Sequence, residues 1–395
     1  MRRRESPSSG VMTRAGAARI AHKVYIDKIP RADIAEQEHI SLATISRAIK
    51  FAETHGIIRY VIDVDGNPLI DQSLARRLRE MFKLSHAIVI NTALSPYPQY
   101  GPAEDDRLHH LLGKAVADYL YIAVRDSDSI WTLGGRSTYF AAQHLVTEAH
   151  PKNNVHVTPI SGRMATQVYD PTMPFAAPSV DADDAAFFLA KAFCSDPQQF
   201  HALNRPVASY EEYHHRNSDF GHLFKPDGSL DNPSTICFCG IGRLGGKHMF
   251  TRWEDVRLQP ISDDIRGLLE LLQGYEETID DESFFPIGDV ANRLFLTDEI
   301  AEEEVRNSIV KKLGVINKKI VGLTFSQLAM APMIIANSGG HYKYPAIRTV
   351  LRFRKPSGDP FVNVLCTDSY TAEKLLTDGL EATINIADLP GEQEV

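Results

Sequence analysis

Apolar positions recur at helical spacing near the start of the chain. Residues 12–26 (MTRAGAARIAHKVYI) read as one amphipathic helix. Pro30 stands where a second helix can begin, and RADIAEQE (31–38) supplies it, with Ile34 and Ala35 on one face. His39-Ile40 makes a tight connection, and Ser41 is a good N-cap for a third helix, LATISRAIKFAETH (42–55), which Gly56 ends. On that helix Leu42, Ile45, Ile49 and Ala52 are expected to face the core, leaving Ala43, Thr44, Ser46, Arg47 and Lys50 opposite. A short helix, a tight turn and a second helix with small hydroxyl and methyl groups followed by two cations describe a helix-turn-helix. In that motif the N-terminal residues of the second helix meet base edges, and basic or hydroxyl neighbours hold phosphates. Ser41, Ala43, Thr44, Ser46, Arg47 and Lys50 are therefore candidate DNA contacts. A helical bundle with a merely solvated polar face fits the same pattern, and His39 stands at the turn where glycine is usual. The alternation in IIRYVIDVDGNP (57–68) predicts a strand and an Asp65-Gly66 turn, suited to a small wing.

Further on the pattern changes to apolar runs alternating with helices. QSLARRLREMFKLSHAIVIN gives a helix that joins head to body, then a strand. Strands are expected at SIWTLGG, NVHVTPISG, STICFCGIG, APMIIANSGG and VNVLCTDS. Helices are expected at LLGKAVADYLYIAV, STYFAAQHLV, DDAAFFLAKAFC, DIRGLLELLQG, HYKYPAIRTVLRF and TAEKLLTDG. Such alternation implies a parallel sheet covered on both faces. The fold expected is an α/β effector domain with a mostly parallel, Rossmann-like sheet, plus an N-terminal all-α (winged) helix-turn-helix domain. Its parts are a basic arm (1–12), the helix-turn-helix domain (13–68), a linker helix (69–85) and the effector domain (86–395). The polar stretch 204–234 reads as an insertion.

Charge separates the same two parts. The 395 residues carry a formal net charge of −9, yet residues 1–60 hold 11 Lys+Arg against 6 Asp+Glu, leaving a basic head on an acidic body. The head can approach DNA, and three consecutive arginines at 2–4 could touch phosphate. Four scattered cysteines (Cys194, Cys237, Cys239, Cys366) suggest a reducing, cytoplasmic setting rather than a disulfide scaffold. No run of about 20 apolar residues is present for a membrane span, and no apolar segment of a secretory signal follows the basic start.

Ligands of open parallel sheets bind beyond the carboxyl ends of the strands. Four such ends are rich in small residues: Gly134-Gly135-Arg136-Ser137-Thr138, Ser161-Gly162-Arg163, Gly240-Ile241-Gly242-Arg243 and Ser338-Gly339-Gly340-His341-Tyr342-Lys343. Glycine lets the backbone approach an anion, and a helix starting there offers free N–H groups and its positive end. With cations at Arg136, Arg163 and Lys343, the set suits a phosphorylated small molecule, although any one Gly-Gly is usually only a turn. Neither a dinucleotide fingerprint nor a Walker A loop is present. Cys237-Phe238-Cys239 reads as a buried strand pair and His214-His215 with His222 as a hydrated loop, so no metal site is expected.

The order of these elements, with TISRAIKFAETHGII, WTLGGRST, CGIGRLGG, PIGDVANRLF and a terminal SGGHYKYPAI…LCTDSYTAEKLL, resembles the SorC-type sugar-binding transcriptional regulators of bacteria over about residues 15–385. The resemblance implies an effector domain similar to sugar-phosphate isomerases and glucosamine-6-phosphate deaminases, a sugar or sugar phosphate that modulates operator binding, and a homotetramer. It implies that Gly135, Arg136, Ser137 and Thr138 cradle phosphate. Arg163 and Lys343 would be charge partners and Asp289 would accept sugar hydroxyls; the strand ends themselves add Gly134, Gly162, Gly240, Gly242 and Gly340 as candidates to line the site. The family usually carries Ser-Arg where Ser41-Leu42 stands. No cofactor beyond this effector is expected. The alternative is a phosphosugar isomerase or deaminase with Lys343 as a Schiff-base amine and Asp289 as a base. CGIGRLGG lacks the Asp-Gly-His element of the deaminases, however, and an enzyme would leave residues 15–64 without a purpose.

Overall fold

The computed structural model describes residues 13–25, 27, 29–54, 69–91, 102–147, 151–162, 181–210, 219–245, 256–279, 282–297, 300–379 and 382–392. The chain divides into two compact units, Met1–Gly66 and Asn67–Val395. The expected basic arm (1–12) and wing strand (57–64) lie outside the described residues.

The first unit is built on helices α1 (Arg14–Tyr25), α2 (Arg31–Gln37) and α3 (Leu42–Thr54). Ile20, Ile34, Ile45, Ala48 and Ile49 form one apolar cluster, and Ala17, Ala21 and Ala52 a second. Glu38 ties α1 to the end of α2 by ion pairs to Lys23 (2.8 Å) and Arg19 (3.0 Å); the Lys23 hydrogen bond holds its carboxyl below the usual range. The turn closes as a Schellman motif, with Ile40 N donating to Ala35 O and His39 N to Glu36 O. His39 takes the left-handed conformation (φ +52°) that glycine usually fills.

Two positions on α3 differ from the periodicity. Leu42 is 53% exposed, whereas Thr44 is 5% exposed. Thr44 N–H donates to Ser41 Oγ (3.1 Å), and the two hydroxyls lie 2.9 Å apart. The cap thus draws Thr44 inward, and the buried stripe is Thr44, Ile45, Ala48, Ile49 and Ala52.

The second unit has thirteen described strands: β1 (Leu69–Ile70), β2 (His86–Asn91), β3 (Ser129–Thr132), β4 (His156–Pro159), β5 (Thr235–Cys239), β6 (Ile241–Gly245), β7 (Glu277–Ile279), β8 (Glu282–Val290), β9 (Arg293–Leu296), β10 (Met333–Asn337), β11 (Phe353–Arg354), β12 (Val364–Asp368) and β13 (Ile384–Asn385). The main sheet runs β1-β2-β12-β10-β5-β3-β4, parallel throughout except for β1. Its helices are α4 (Gln72–Phe82), α5 (Pro102–Ala123), α6 (Arg136–Thr147), α7 (Ala182–Phe193), α8 (Ser262–Leu271), α9 (Glu303–Lys319), α10 (Phe325–Leu328), α11 (Tyr344–Arg352) and α12 (Ser369–Asp378). One sheet face packs against α5, α6 and α7 through residues such as Leu112, Ala141, Leu189 and Phe238. The other packs against α4, α11 and α12 through Leu78, Ile347, Leu375 and Cys237. The segment 69–85, expected as a linker, places Leu74, Ala75, Leu78 and Phe82 of α4 in that core.

STICFCGIG is two strands rather than one. The chain leaves the main sheet at Gly240, and β6 pairs antiparallel with β8 in a second sheet with β7 and β9. This sheet shares an apolar core with α8 and α9, including Leu244, Ile287, Leu294, Leu268 and Leu313. The stretch 204–234, expected as an insertion, is largely irregular where described, but Val207, Phe220 and Leu223 are buried and Arg205 pairs with Asp219 (3.1 Å).

Candidate functional site

The sheet order sets the location. After β3 the chain goes outward to β4, then crosses back so that β5 lies on the other side of β3 and continues to β10 and β12. Connections therefore diverge between β3 and β5, and the crevice beyond their carboxyl ends is the topological switch point where such sheets bind ligands.

The register aligns Thr132 with Phe238, and Cys239 with Ala336. Continuing that register, two residues past Thr132 and one past Cys239 and Ala336, brings Gly134, Gly240 and Asn337 to the same level. Gly135 bends the chain into α6 with φ +122°, and Gly340 closes the β10 end with φ +102°, both conformations that favour glycine. The first N–H groups of α6 have no intrahelical acceptor and carry the positive end of the helix dipole toward this level.

Thr138, on the first turn of α6, is 1% exposed, and its Oγ1 makes no hydrogen bond among the described residues. A Cβ added at Gly240 would lie 4.0 Å from that oxygen and 3.8 Å from the Asn337 carbonyl; one at Gly135 would lie 3.9 Å from the same Thr138 Oγ1. Asn337 donates from Nδ2 to the Ser137 carbonyl (3.2 Å), and its buried Oδ1 has no partner among the described residues. Ser137 Oγ and His109 Nδ1, from α5, are 2.6 Å apart. The switch point thus gathers backbone donors, an uncommitted hydroxyl and an uncommitted amide oxygen.

Two of the expected cations converge beside it. Arg136 Nη2 donates to the Tyr342 hydroxyl (3.4 Å), and Lys343 Nζ lies 5.3 Å from the centre of the Tyr342 ring. Arg243 fixes this segment from behind, donating to the Tyr342 carbonyl (3.2 Å), the Phe285 carbonyl (3.0 Å) and Glu277 (2.9 Å). Asp368 caps α12 through Thr371 N (2.9 Å) and accepts the Gly340 N–H (2.7 Å), which holds the glycine turn.

The remaining candidates are placed differently. Arg163, His214 and His215 lie outside the described residues. Gly162 pairs its N–H with the Val321 carbonyl (2.7 Å), and the space a side chain would need is filled by the backbone of Pro206 and Val207, a packing role. Gly242 stands opposite Asp289 in the second sheet. Asp289 is buried near Cys239, whose thiol is pushed well above its usual range by its hydrogen bond with Cys237 and by burial, with a smaller contribution from Asp289. Sequence reasoning missed Asn337, His109 and Asp368, and named Tyr342 only as part of the glycine-rich end 338–343. Asn337 and Asp368 share a signal, a polar residue closing an apolar run at a strand's carboxyl end; His109 carries none.

On α3 the exposed face is Leu42, Ala43, Ser46, Arg47 and Lys50. Arg47 lies along the helix, with Nε donating to the Ala43 carbonyl (3.3 Å) and Nη2 to Thr44 Oγ1 (3.3 Å). Ser41 and Thr44, both expected to touch DNA, are engaged with each other in the cap.

This arrangement has the fold of the SorC-type regulators, the class resembled in sequence. The chain matches the full-length sorbitol operon regulator SorC from Klebsiella pneumoniae with a TM-score of 0.50 and 19% identity, covering 92% of this chain and 99% of that one. A transcriptional regulator from Streptococcus pneumoniae TIGR4 matches with a TM-score of 0.51 and 17% identity, over 77% of this chain and 96% of that one. In sequence, the deoxyribonucleoside regulator of Bacillus subtilis (strain 168) is 23% identical over 368 residues, 91% of this chain and 96% of the relative. No family model matches. Among the described residues no helix is long and apolar enough to cross a membrane.

Proposed function

We propose that the chain is a ligand-responsive DNA-binding transcriptional regulator of a carbohydrate pathway, in which a sugar or sugar phosphate modulates operator binding. The observation that carries this reading is the presence, in one chain, of a helix-turn-helix and a switch-point crevice with a buried, uncommitted Thr138 hydroxyl. A ligand phosphate would take the N–H groups of α6 and the Thr138 hydroxyl, with Arg136 and Lys343 supplying charge. Asp289 would face sugar hydroxyls. The relatives' names support a sugar-derived ligand and a DNA partner. The protein would act in the cytoplasm as a homotetramer, on operator DNA, without catalysing a reaction.

The ligand can shift DNA binding only through its differential affinity for two arrangements of the oligomer. A coupling of 5–150-fold is typical. The test is the affinity of the full chain for a selected duplex across a panel of sugar phosphates, hexitols and deoxyribonucleosides. One panel member should change affinity by at least about five-fold; uniform affinity across the panel would count against the reading.

Two variants separate the halves of the mechanism. Arg47→Ala should weaken binding to all duplexes and lower the slope of log affinity against log salt by about one, as expected for a phosphate contact. Lys343→Ala should leave DNA affinity without ligand unchanged and raise the ligand concentration needed for half the response by about ten-fold or more, since a charged hydrogen bond contributes about 1.5–3 kcal/mol. A normal response in Lys343→Ala, measured in the same titration, would misplace the pocket.

A further inference from the structure

Extending the DNA-binding reading above, we propose that Leu42 reads the operator by packing on a thymine methyl group in the major groove. Leu42 is the first residue of α3, the second helix of the helix-turn-helix, whose N-terminal residues meet base edges in this motif. The exposed residues of α3 follow the spacing of a single helix face: Leu42, Ala43, Ser46, Arg47 and Lys50. Packing fixes that face, because Ile45, Ala48, Ile49 and Ala52 are buried on the other side. Leu42 is the large apolar side chain on it, at 53% exposure.

A singly exposed leucine needs no explanation on an ordinary surface. Here the other exposed residues of the face beyond Ala43 are polar or cationic (Ser46, Arg47, Lys50), and Arg47 is folded back along the helix toward the Ala43 carbonyl and Thr44. Leu42 and Ala43 therefore lead the face as an apolar pair. Leucine has no donor or acceptor and cannot read the hydrogen-bonding edge of guanine, adenine or cytosine. The major groove offers one apolar base feature, the C5 methyl of thymine. Each half-site should therefore carry a thymine beneath Leu42.

The experiment uses the full-length chain. Duplexes that it binds are selected from a random-sequence pool, and each dT of the selected site is then replaced singly by dU, which deletes only the methyl. The parent should lose about four-fold at one position per half-site, the equilibrium effect of one methyl returned to water. Leu42→Ala should bind the dT and dU duplexes equally, and Leu42→Arg should select guanine at that position. Unchanged melting curves confirm that the variants fold, as expected for an exposed site. If no dT→dU change weakens the parent, or if Leu42→Ala responds as the parent does, the proposal is overturned while DNA binding stands. If the pool yields no duplex bound with salt-dependent affinity, the DNA-binding reading falls and this inference with it.

Discussion

Thr138→Val should make the protein more stable and at the same time unresponsive to its ligand. The side chain is 1% exposed, and its hydroxyl has no hydrogen-bond partner among the described residues. Burying an unsatisfied hydroxyl costs about 1–3 kcal/mol, whereas the isosteric methyl incurs no such penalty. The valine protein should therefore gain about 1 kcal/mol in urea unfolding. A residue kept for packing alone would not show this inverse pattern; one kept to meet a ligand oxygen would, because functional sites hold groups that lower stability. Valine should reduce the ligand effect on DNA affinity to near one, and DNA affinity without ligand should match the parent. A destabilised valine protein, or one with a normal ligand response, would mean that the hydroxyl serves another purpose.

The largest loss of stability is expected at Arg293. Its guanidinium is buried and donates to the carbonyls of Leu323 (2.8 Å), Ile320 (3.2 Å), Asn317 and Gly322. Asn317 and Ile320 stand at the carboxyl end of α9, where helical carbonyls lack partners and a cation is favoured. Asn317 adds bonds to both backbone groups of Leu294 (2.9 Å each) and to the Pro390 carbonyl (3.0 Å). This polar node joins the second sheet to α9, to the chain just after it and to the segment following β13. Arg293→Met keeps much of the volume but strands the carbonyls, and should cost about 3–5 kcal/mol in urea unfolding of the α/β unit. A loss below about 1 kcal/mol would show that the node is dispensable.

Local signals account for what the sequence disclosed. Pro30, Ser41 and the apolar stripe of α3 are read within a few residues, so the three helices fall close to their expected bounds. The orientation of Leu42 and Thr44 was not legible from spacing, since the Ser41–Thr44 hydroxyl contact decides it. The alternation of strands and helices foretold the parallel sheet. The second sheet escaped because CFCGIG is one unbroken apolar run that changes partners at Gly240, which nothing in its periodicity marks. The strand ends flagged by glycine do meet at the switch point for Gly135 and Gly240, but Gly162 is a packing glycine. Asn337 reaches Ser137 across 200 residues of chain, a contact that only the sheet order creates.

A ligand seated at the switch point should be coupled to DNA binding. Linkage makes that coupling reciprocal: the factor by which ligand changes duplex affinity must equal the factor by which duplex changes ligand affinity. The most direct measurement is therefore calorimetric titration of the active panel member into the full chain, free and duplex-bound, for the parent and for Thr138→Val. Matching factors of at least about five are expected for the parent and a factor near one for the variant. Equal ligand affinity in the presence and absence of duplex, or undiminished coupling in Thr138→Val, would contradict that expectation.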